Sequence, residues 1–234
     1  MTYDEPLFVK TLSEITAKLL TSYDVDEVLG DLATRVSDLF KLAGCGVSLV
    51  HEGRPEYVCA VPTALVELEA AQFTLGIGPC IDACVKGKTV AIADLKTAPR
   101  EWADYTALAA RLGVVAVASV PMQLGGTCFG DLDMFADRHR DWSTRDLDAA
   151  RVMADMATSY LVNASTFAKQ KQLAEQLQDA LHSRVIIEQA KGMLASAYGV
   201  SVDEAFERIR THARSNHVTL HAVSDAVVRL HLRP

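Results

Sequence analysis

The chain is 234 residues long, half of them hydrophobic, with a formal net charge of −7. That composition supplies a packed core and argues against intrinsic disorder, and no apolar run approaches the ~18 residues that a membrane-spanning helix needs. The acidic start, Met1-Thr2-Tyr3-Asp4-Glu5-Pro6, lacks the basic-then-apolar layout of a signal peptide, so a cytoplasmic protein with no membrane partner is expected.

Leu7, Val9, Leu12, Ile15, Leu19 and Leu20 recur at helical spacing and predict a first amphipathic helix. A second follows, capped by Asp24 or Asp26, with Val28, Leu29, Leu32, Val36 and Leu39 on one face. Between Gly44 and Val61 the period changes to that of a hairpin: strands at 45–50 and 57–61 around a turn at 51–55. A short helix is expected over 64–71. Another starts at Pro79, a residue suited to a first helical turn, and ends near Gly87. A strand at 89–92, a helix at 105–112 and an apolar strand at 114–120 come next. Gly125-Gly126 is a hairpin-turn signal, and the strand beyond it covers 128–135.

Ser143 is a natural cap for a further helix, with Asp146 near its positive end. From Ser143 to Lys191 there are 49 residues without Gly or Pro; fully helical, they would extend roughly 70 Å. The first part, rich in Leu147, Ala150, Met153 and Met156, suits packing on a sheet. The later leucines at 173, 177 and 181 suit pairing with another helix, its own copy in a homodimer included, although their spacing follows 3.6 better than the 3.5 of a coiled coil. A break near 163–172 is the alternative. Past Gly192, Ser201 and Glu204 form the S-x-x-E pattern of a capping box. Ala205, Phe206, Ile209 and Ala213 then line one helix face, and a last helix starting at Asn216 or Thr219 carries Leu220, Val223, Val227, Val228 and Leu230.

Charge is unevenly placed. Residues 1–165 hold 14 basic and 23 acidic side chains, a balance of −9, whereas residues 166–234 hold 9 and 7, a balance of +2. The tail therefore has the less repulsive surface for a polyanion. The five cysteines, Cys45, Cys59, Cys80, Cys84 and Cys128, are odd in number and contain no Cys-x-x-Cys pair. Neither a disulfide framework nor a zinc site is predicted, and small buried hydrophobes are the plain reading. Cys80 and Cys84 stand one turn apart near a helix start that would favour a thiolate, so a redox, metal or nitric-oxide sensor is the sharper alternative.

No hydrolase elbow, phosphate-binding loop, metal-spaced His pair or kinase signature occurs, and no enzymatic activity is expected. Asp131 and Asp133 alternate on a strand and point to one face, where hairpin-end carboxylates are usually solvated.

The tail from Ser183-Arg184-Val185-Ile186-Ile187-Glu188-Gln189-Ala190-Lys191-Gly192-Met193-Leu194, through Tyr198-Gly199-Val200-Ser201-Val202-Asp203-Glu204-Ala205-Phe206, to Ile209-Arg210 and Ala213 resembles the ANTAR module of bacterial antitermination regulators. The resemblance implies a dimeric three-helix unit that binds paired hairpin loops in leader transcripts. Arg184, Lys191, Gly192, Ser201 and Arg210 are the RNA-contact candidates. Arg184 and Lys191 lie two turns apart on one helix face, where cations meet phosphates, and Gly192 permits close approach. Ordinary solvated charge is the alternative for Arg184, Lys191 and Arg210, and Ser201 is first of all a cap. Residues 8–165 resemble a GAF domain through Gly78-Pro79-Cys80-Ile81-Asp82-Ala83, Val90-Ala91-Ile92-Ala93-Asp94-Leu95 and Phe129-Gly130-Asp131-Leu132-Asp133. That resemblance implies an α+β fold, an antiparallel sheet flanked by helices, with a small-molecule pocket on one face. Phe73, Cys80, Cys84, Trp102, Tyr105 and Met134 are its candidate lining, with plain core as the alternative.

The expected layout is a GAF-like sensor over 1–165, a helical linker over 166–180 and an ANTAR unit over 181–234, in the manner of actinobacterial-type regulators. No cofactor is named by the sequence. Two competing readings are a DNA-binding regulator, for which the last helix offers only Arg229 and Arg233 besides histidines, and a ligand-binding or protein-interaction module.

Overall fold

The computed structural model describes residues 3–21, 24–51 and 54–234. Glu52 and Gly53 of the expected first turn, and the side chains of Leu19 and Leu20, lie outside the described residues. The chain divides into two compact units, Met1–Ala164 and Ser165–Pro234.

The first unit is built on one antiparallel sheet with strand order β2-β1-β5-β4-β3: β1 is Gly44–His51, β2 Arg54–Val61, β3 Val90–Ile92, β4 Ala116–Leu124 and β5 Thr127–Ala136. The β4–β5 turn at Gly125-Gly126 has φ of 59° and 84°, the pair of positive angles that a tight hairpin requires and glycine adopts without strain. Helices α1 (Glu5–Thr21), α2 (Val25–Phe40) and the start of α6 (Thr144–Tyr198) cover one face of the sheet. Asp24 is the cap of α2, accepting from the amides of Asp26 and Glu27 at 3.1 and 3.2 Å. The buried stripe Leu29, Leu32, Val36 and Leu39 of α2 then meets Cys45 and Val47 of β1, Leu132 and Met134 of β5, and Ala150, Met153 and Ala157 of α6. The residues that meet here are mostly apolar, so their cohesion comes largely from area removed from water.

Helices α3 (Val66–Leu75), α4 (Pro79–Lys86) and α5 (Ala103–Arg111) lie over the other face. There Leu65, Leu68, Trp102, Tyr105, Ala109, Val117 and Phe135 form a second core. Side chains alternate across a strand, so β5 sends Leu132 and Met134 to the first face and Asp131, Asp133 and Phe135 to the second.

In the second unit, the C-terminal part of α6 packs with α7 (Val202–Ser215) and α8 (Leu220–Leu230) around Ala190, Leu194, Ala205, Ile209, Ala213, Val223 and Val227. The capping box is complete: Ser201 Oγ accepts from the Glu204 amide at 3.2 Å, and Glu204 Oε2 accepts from the Ser201 amide at 2.9 Å. Thr219, not Asn216, caps α8. No break occurs at 163–172, and α6 passes through Gly192 to Tyr198. Among the described residues, no single helix is long and apolar enough to cross a membrane.

Candidate functional site

Face alternation on β5 creates the most unusual chemistry of the molecule. Asp131 and Asp133 point to the same face, as their spacing requires, but they are not solvated: they are 1 % and 0 % exposed. Helices α3 and α4 close over them, which a reading of the hairpin alone could not foresee. Glu69 and Gln72, one turn apart on α3, are fully buried as well. Gln72 ties the cluster together. Its Nε2 donates to Asp133 Oδ2 at 3.0 Å and, over a longer 3.4 Å, to Glu69 Oε2, while its Oε1 accepts from the Cys80 amide at 2.9 Å. Ser48 Oγ of β1 donates to Asp131 Oδ1 at 2.7 Å. Gly46 makes room for the Glu69 carboxyl, since a Cβ there would stand 1.7 Å from Glu69 Oε1.

Electrostatics follow from this burial. Burial pushes all three acids above the ordinary carboxylate range, and neighbouring acids add to the rise of Glu69 and Asp131; a hydrogen bond from Ser48 pulls Asp131 part of the way back, and hydrogen bonds with Ser119, Gln72 and Glu69 do the same for Asp133. Tyr105, on α5, is raised by burial and by Asp133 and Glu69. Cys80 is also raised, by burial and then by Asp131 and Asp133. The expectation of a thiolate favoured by the start of α4 is therefore corrected: desolvation and adjacent carboxylates outweigh a short helix's partial charge. Asp133 Oδ1, Glu69 Oε1 and the Tyr105 hydroxyl are buried without a hydrogen-bond partner. Each such group costs about 1–3 kcal/mol, which marks this as a place built for something other than stability.

The sequence-derived pocket residues separate. Cys80 and Tyr105 join the polar cluster, and Trp102 packs on Tyr105 with ring centroids 6.3 Å apart. Met134 is on the opposite face of the sheet, in the core with α2 and α6, so it lines no pocket with them. Phe73 is half-buried on α3, one residue past the inward-facing Gln72. Cys84 turns away from Cys80 and forms a disulfide with Cys128 of β5, with Cα atoms 5.7 Å apart across a sequence separation of 44. This corrects the expectation of five unlinked cysteines. Cysteine spacing carried no sign of it, because the two residues meet only when α4 docks beside the hairpin. Ser48, Glu69 and Gln72 were missed too. The one available signal was polar residues at positions where a helix or strand face is otherwise apolar.

In the second unit, Arg184 and Gly192 are exposed on α6. Lys191 is more committed than its sequence context implied: its side chain is 16 % exposed, paired with Glu188 at 2.9 Å and set 5.4 Å from the Phe206 ring centre. Ser201 is occupied by the capping box. Arg210 pairs with Glu207 at 2.8 Å. Arg214 and His217, absent from the sequence-derived set, line a cavity of about 420 Å³ together with Arg210. The clustering has a simple origin: Arg210 and Arg214 are one turn apart on α7, and His217 follows its C-terminal end. Arg208 lies 4.6 Å over the Tyr198 ring.

Comparison with known proteins agrees with both halves. The GAF domain family model matches residues 24–161, and the ANTAR domain family model matches residues 175–228. No curated protein matches the sequence. Among solved structures, free methionine-R-sulfoxide reductase from Neisseria meningitidis is similar at 18 % identity with a TM-score of 0.55, over 72 % of this chain and 96 % of that one. The GAF domain of a phosphoenolpyruvate-protein phosphotransferase from Coxiella burnetii is similar at 14 % identity with a TM-score of 0.54, over 69 % and 96 %. The corresponding domain from Acinetobacter gives 13 % and 0.52, over 69 % and 97 %. At these identities the likeness is one of fold.

Proposed function

Because the chain belongs to the GAF domain family and carries an ANTAR domain, we propose that it is a cytoplasmic, signal-responsive antitermination regulator that binds hairpin loops of leader RNA as a homodimer and has no catalytic activity. ANTAR domains are RNA-binding antitermination modules and GAF domains are sensor modules, which makes the chain a regulator; the hairpin target, the dimer and the signal are the proposal. The observation that carries it is the basic cluster Arg210, Arg214 and His217 around one cavity of the three-helix unit, with Arg184 exposed on α6. Splayed loop bases and adjacent phosphates are the nucleic-acid feature that such a compact, cation-lined hollow fits, rather than a duplex groove. Arg184 and Arg210 remain contact residues in this reading, Lys191 and Gly192 further ones on α6, and Ser201 caps α7.

The dimer is supported by Leu173, Leu177, Leu181 and Val185, each more than half exposed along α6, a costly display for a helix that stays alone. A signal in the sensor need change the relative free energy of two helix arrangements by only a few kcal/mol to switch RNA affinity substantially.

Fluorescence anisotropy with a tandem-hairpin RNA, a scrambled single strand and a DNA duplex tests the reading. Tight binding to the hairpins alone is expected, with affinity falling steeply as salt rises. Arg210→Ala with Arg214→Ala should lower affinity at least tenfold and flatten the salt dependence by roughly two phosphate contacts. Equal affinity for the duplex, or no loss in the double variant, refutes the assignment.

A further inference from the structure

We propose that the sensor domain binds a borderline first-row divalent metal ion, of the iron(II) or zinc class, through Cys80 Sγ and the carboxylates of Asp131 and Asp133, with Glu69 as the adjoining fourth donor.

The ligand atoms of Cys80, Asp131 and Asp133 all lie within 4.8 Å of one another, and all three side chains are buried. An ion bonded tetrahedrally at about 2.0–2.3 Å holds its donors about 3.3–3.8 Å apart, so the trio needs to contract by no more than about 1–1.5 Å. The acids alone would not carry the inference. Two buried oxygens beside them have no hydrogen-bond partner, Asp133 Oδ1 and Glu69 Oε1, and the second belongs to a carboxyl held against Asp133 through Gln72. Gly46 leaves open the space that Glu69 Oε1 fills.

Charge points the same way. Three carboxyls and a thiol share one buried volume, and among the described residues no Lys, Arg or His pairs with any of them. A buried anionic group without a cation is expensive, and a divalent ion supplies the missing charge. The donor set chooses among ions: a sulfur donor disfavours magnesium and calcium, while sulfur with carboxylate oxygen suits the borderline transition ions. Orientation is supplied from outside the donor set, by Ser48 on Asp131 and Gln72 on Asp133, as outer partners do in metal sites. An ion here would join α4 to β5, whose opposite face packs Leu132 and Met134 into the same core as Ala150 and Met153 of α6. The strand that supplies two ligands thus shares its opposite core with the start of α6.

The test uses the full chain, stripped with chelator and titrated with cobalt(II). One equivalent should bind and give a thiolate-to-cobalt charge-transfer band, displaced by zinc. Cys80→Ser should abolish the band, Cys84→Ser with Cys128→Ser should keep it, and Asp131→Asn or Asp133→Asn should weaken binding at least tenfold. Zinc-edge X-ray absorption of the wild-type complex reads the same site without any variant, and should show one sulfur at about 2.3 Å among oxygen neighbours. The proposal is overturned by a wild type that gives no charge-transfer band, by a band that survives in both Cys80→Ser and Asp133→Asn, or by a shell of imidazoles without sulfur. The last result would place the ion at the tail, where the His182 and His221 rings are 6.2 Å apart. None of these outcomes bears on RNA binding.

Discussion

Replacing Gln72 by Leu tests the clamp that organises the sensor's polar cluster. The two side chains are similar in size, so the substitution leaves little cavity and removes the amide alone. The Cys80 amide then loses its acceptor at 2.9 Å and Asp133 Oδ2 loses its donor at 3.0 Å. Each buried polar group stripped of a partner costs about 1–3 kcal/mol, whereas the 3.4 Å contact to Glu69 is long and adds little. The sum is about 2–6 kcal/mol, a large share of the roughly 5–15 kcal/mol that holds a domain folded. Both tryptophans, Trp102 and Trp142, belong to the first unit, so urea unfolding followed by tryptophan fluorescence reports on the sensor alone. With a slope of about 2 kcal/mol/M, the midpoint should fall by at least about 1 M. A midpoint within about 0.3 M of wild type would show that Gln72 is not the organiser described above.

Three further outcomes are expected. In the chelator-stripped chain, Glu69, Asp131 and Asp133 have native-state proton affinities raised above those of the unfolded chain. Stability is therefore complete below the unfolded values near about 4 and is lost as pH rises through the folded ones. The titratable groups facing the cluster from α3, α4, α5 and β5 are Glu69, Cys80, Tyr105, Asp131 and Asp133, and Cys45 lies behind it in the opposite core; none of them adds a cation. Denaturation midpoints should fall as pH rises above the unfolded carboxylate values, and Asp131→Asn should reduce the fall; a midpoint that rises with pH contradicts this. Ile209→Ala, at a position 0 % exposed in the tail's core, should cost about 2–5 kcal/mol, lowering tail helicity and RNA affinity while the tryptophan transition stays in place. Leu177→Glu with Leu181→Glu should weaken self-association at least tenfold by sedimentation; an unchanged constant would remove these leucines, 57 % and 65 % exposed, from the dimer contact.

Local chemistry was legible wherever the physical cause is itself local. The capping box at Ser201 and Glu204, the Pro79 helix start, the Gly125-Gly126 turn and the apolar stripe of α2 each depend on residues within one or two turns of each other, so spacing alone is sufficient. The order of strands and helices followed from period changes, although β4 extends to Leu124, beyond the expected end at Val120, because pairing with β5 continues through the buried Pro121 and Met122 to the hairpin turn.

The sensor's chemistry depended on distance in space. Alternation along the chain places Asp131 and Asp133 on one face and Met134 on the other, and that parity could be read directly. Whether that face meets water could not, since it depends on α3 and α4, segments that begin more than fifty residues earlier. Their docking brings Glu69, Gln72 and Cys80 onto the strand, buries the acids, suppresses the Cys80 thiolate and sets Cys84 against Cys128. Sequence by itself determined which elements form and which residues share a face. Tertiary packing alone decided which of those faces lose water, and removal of water is what turns ordinary carboxylates and a thiol into a site.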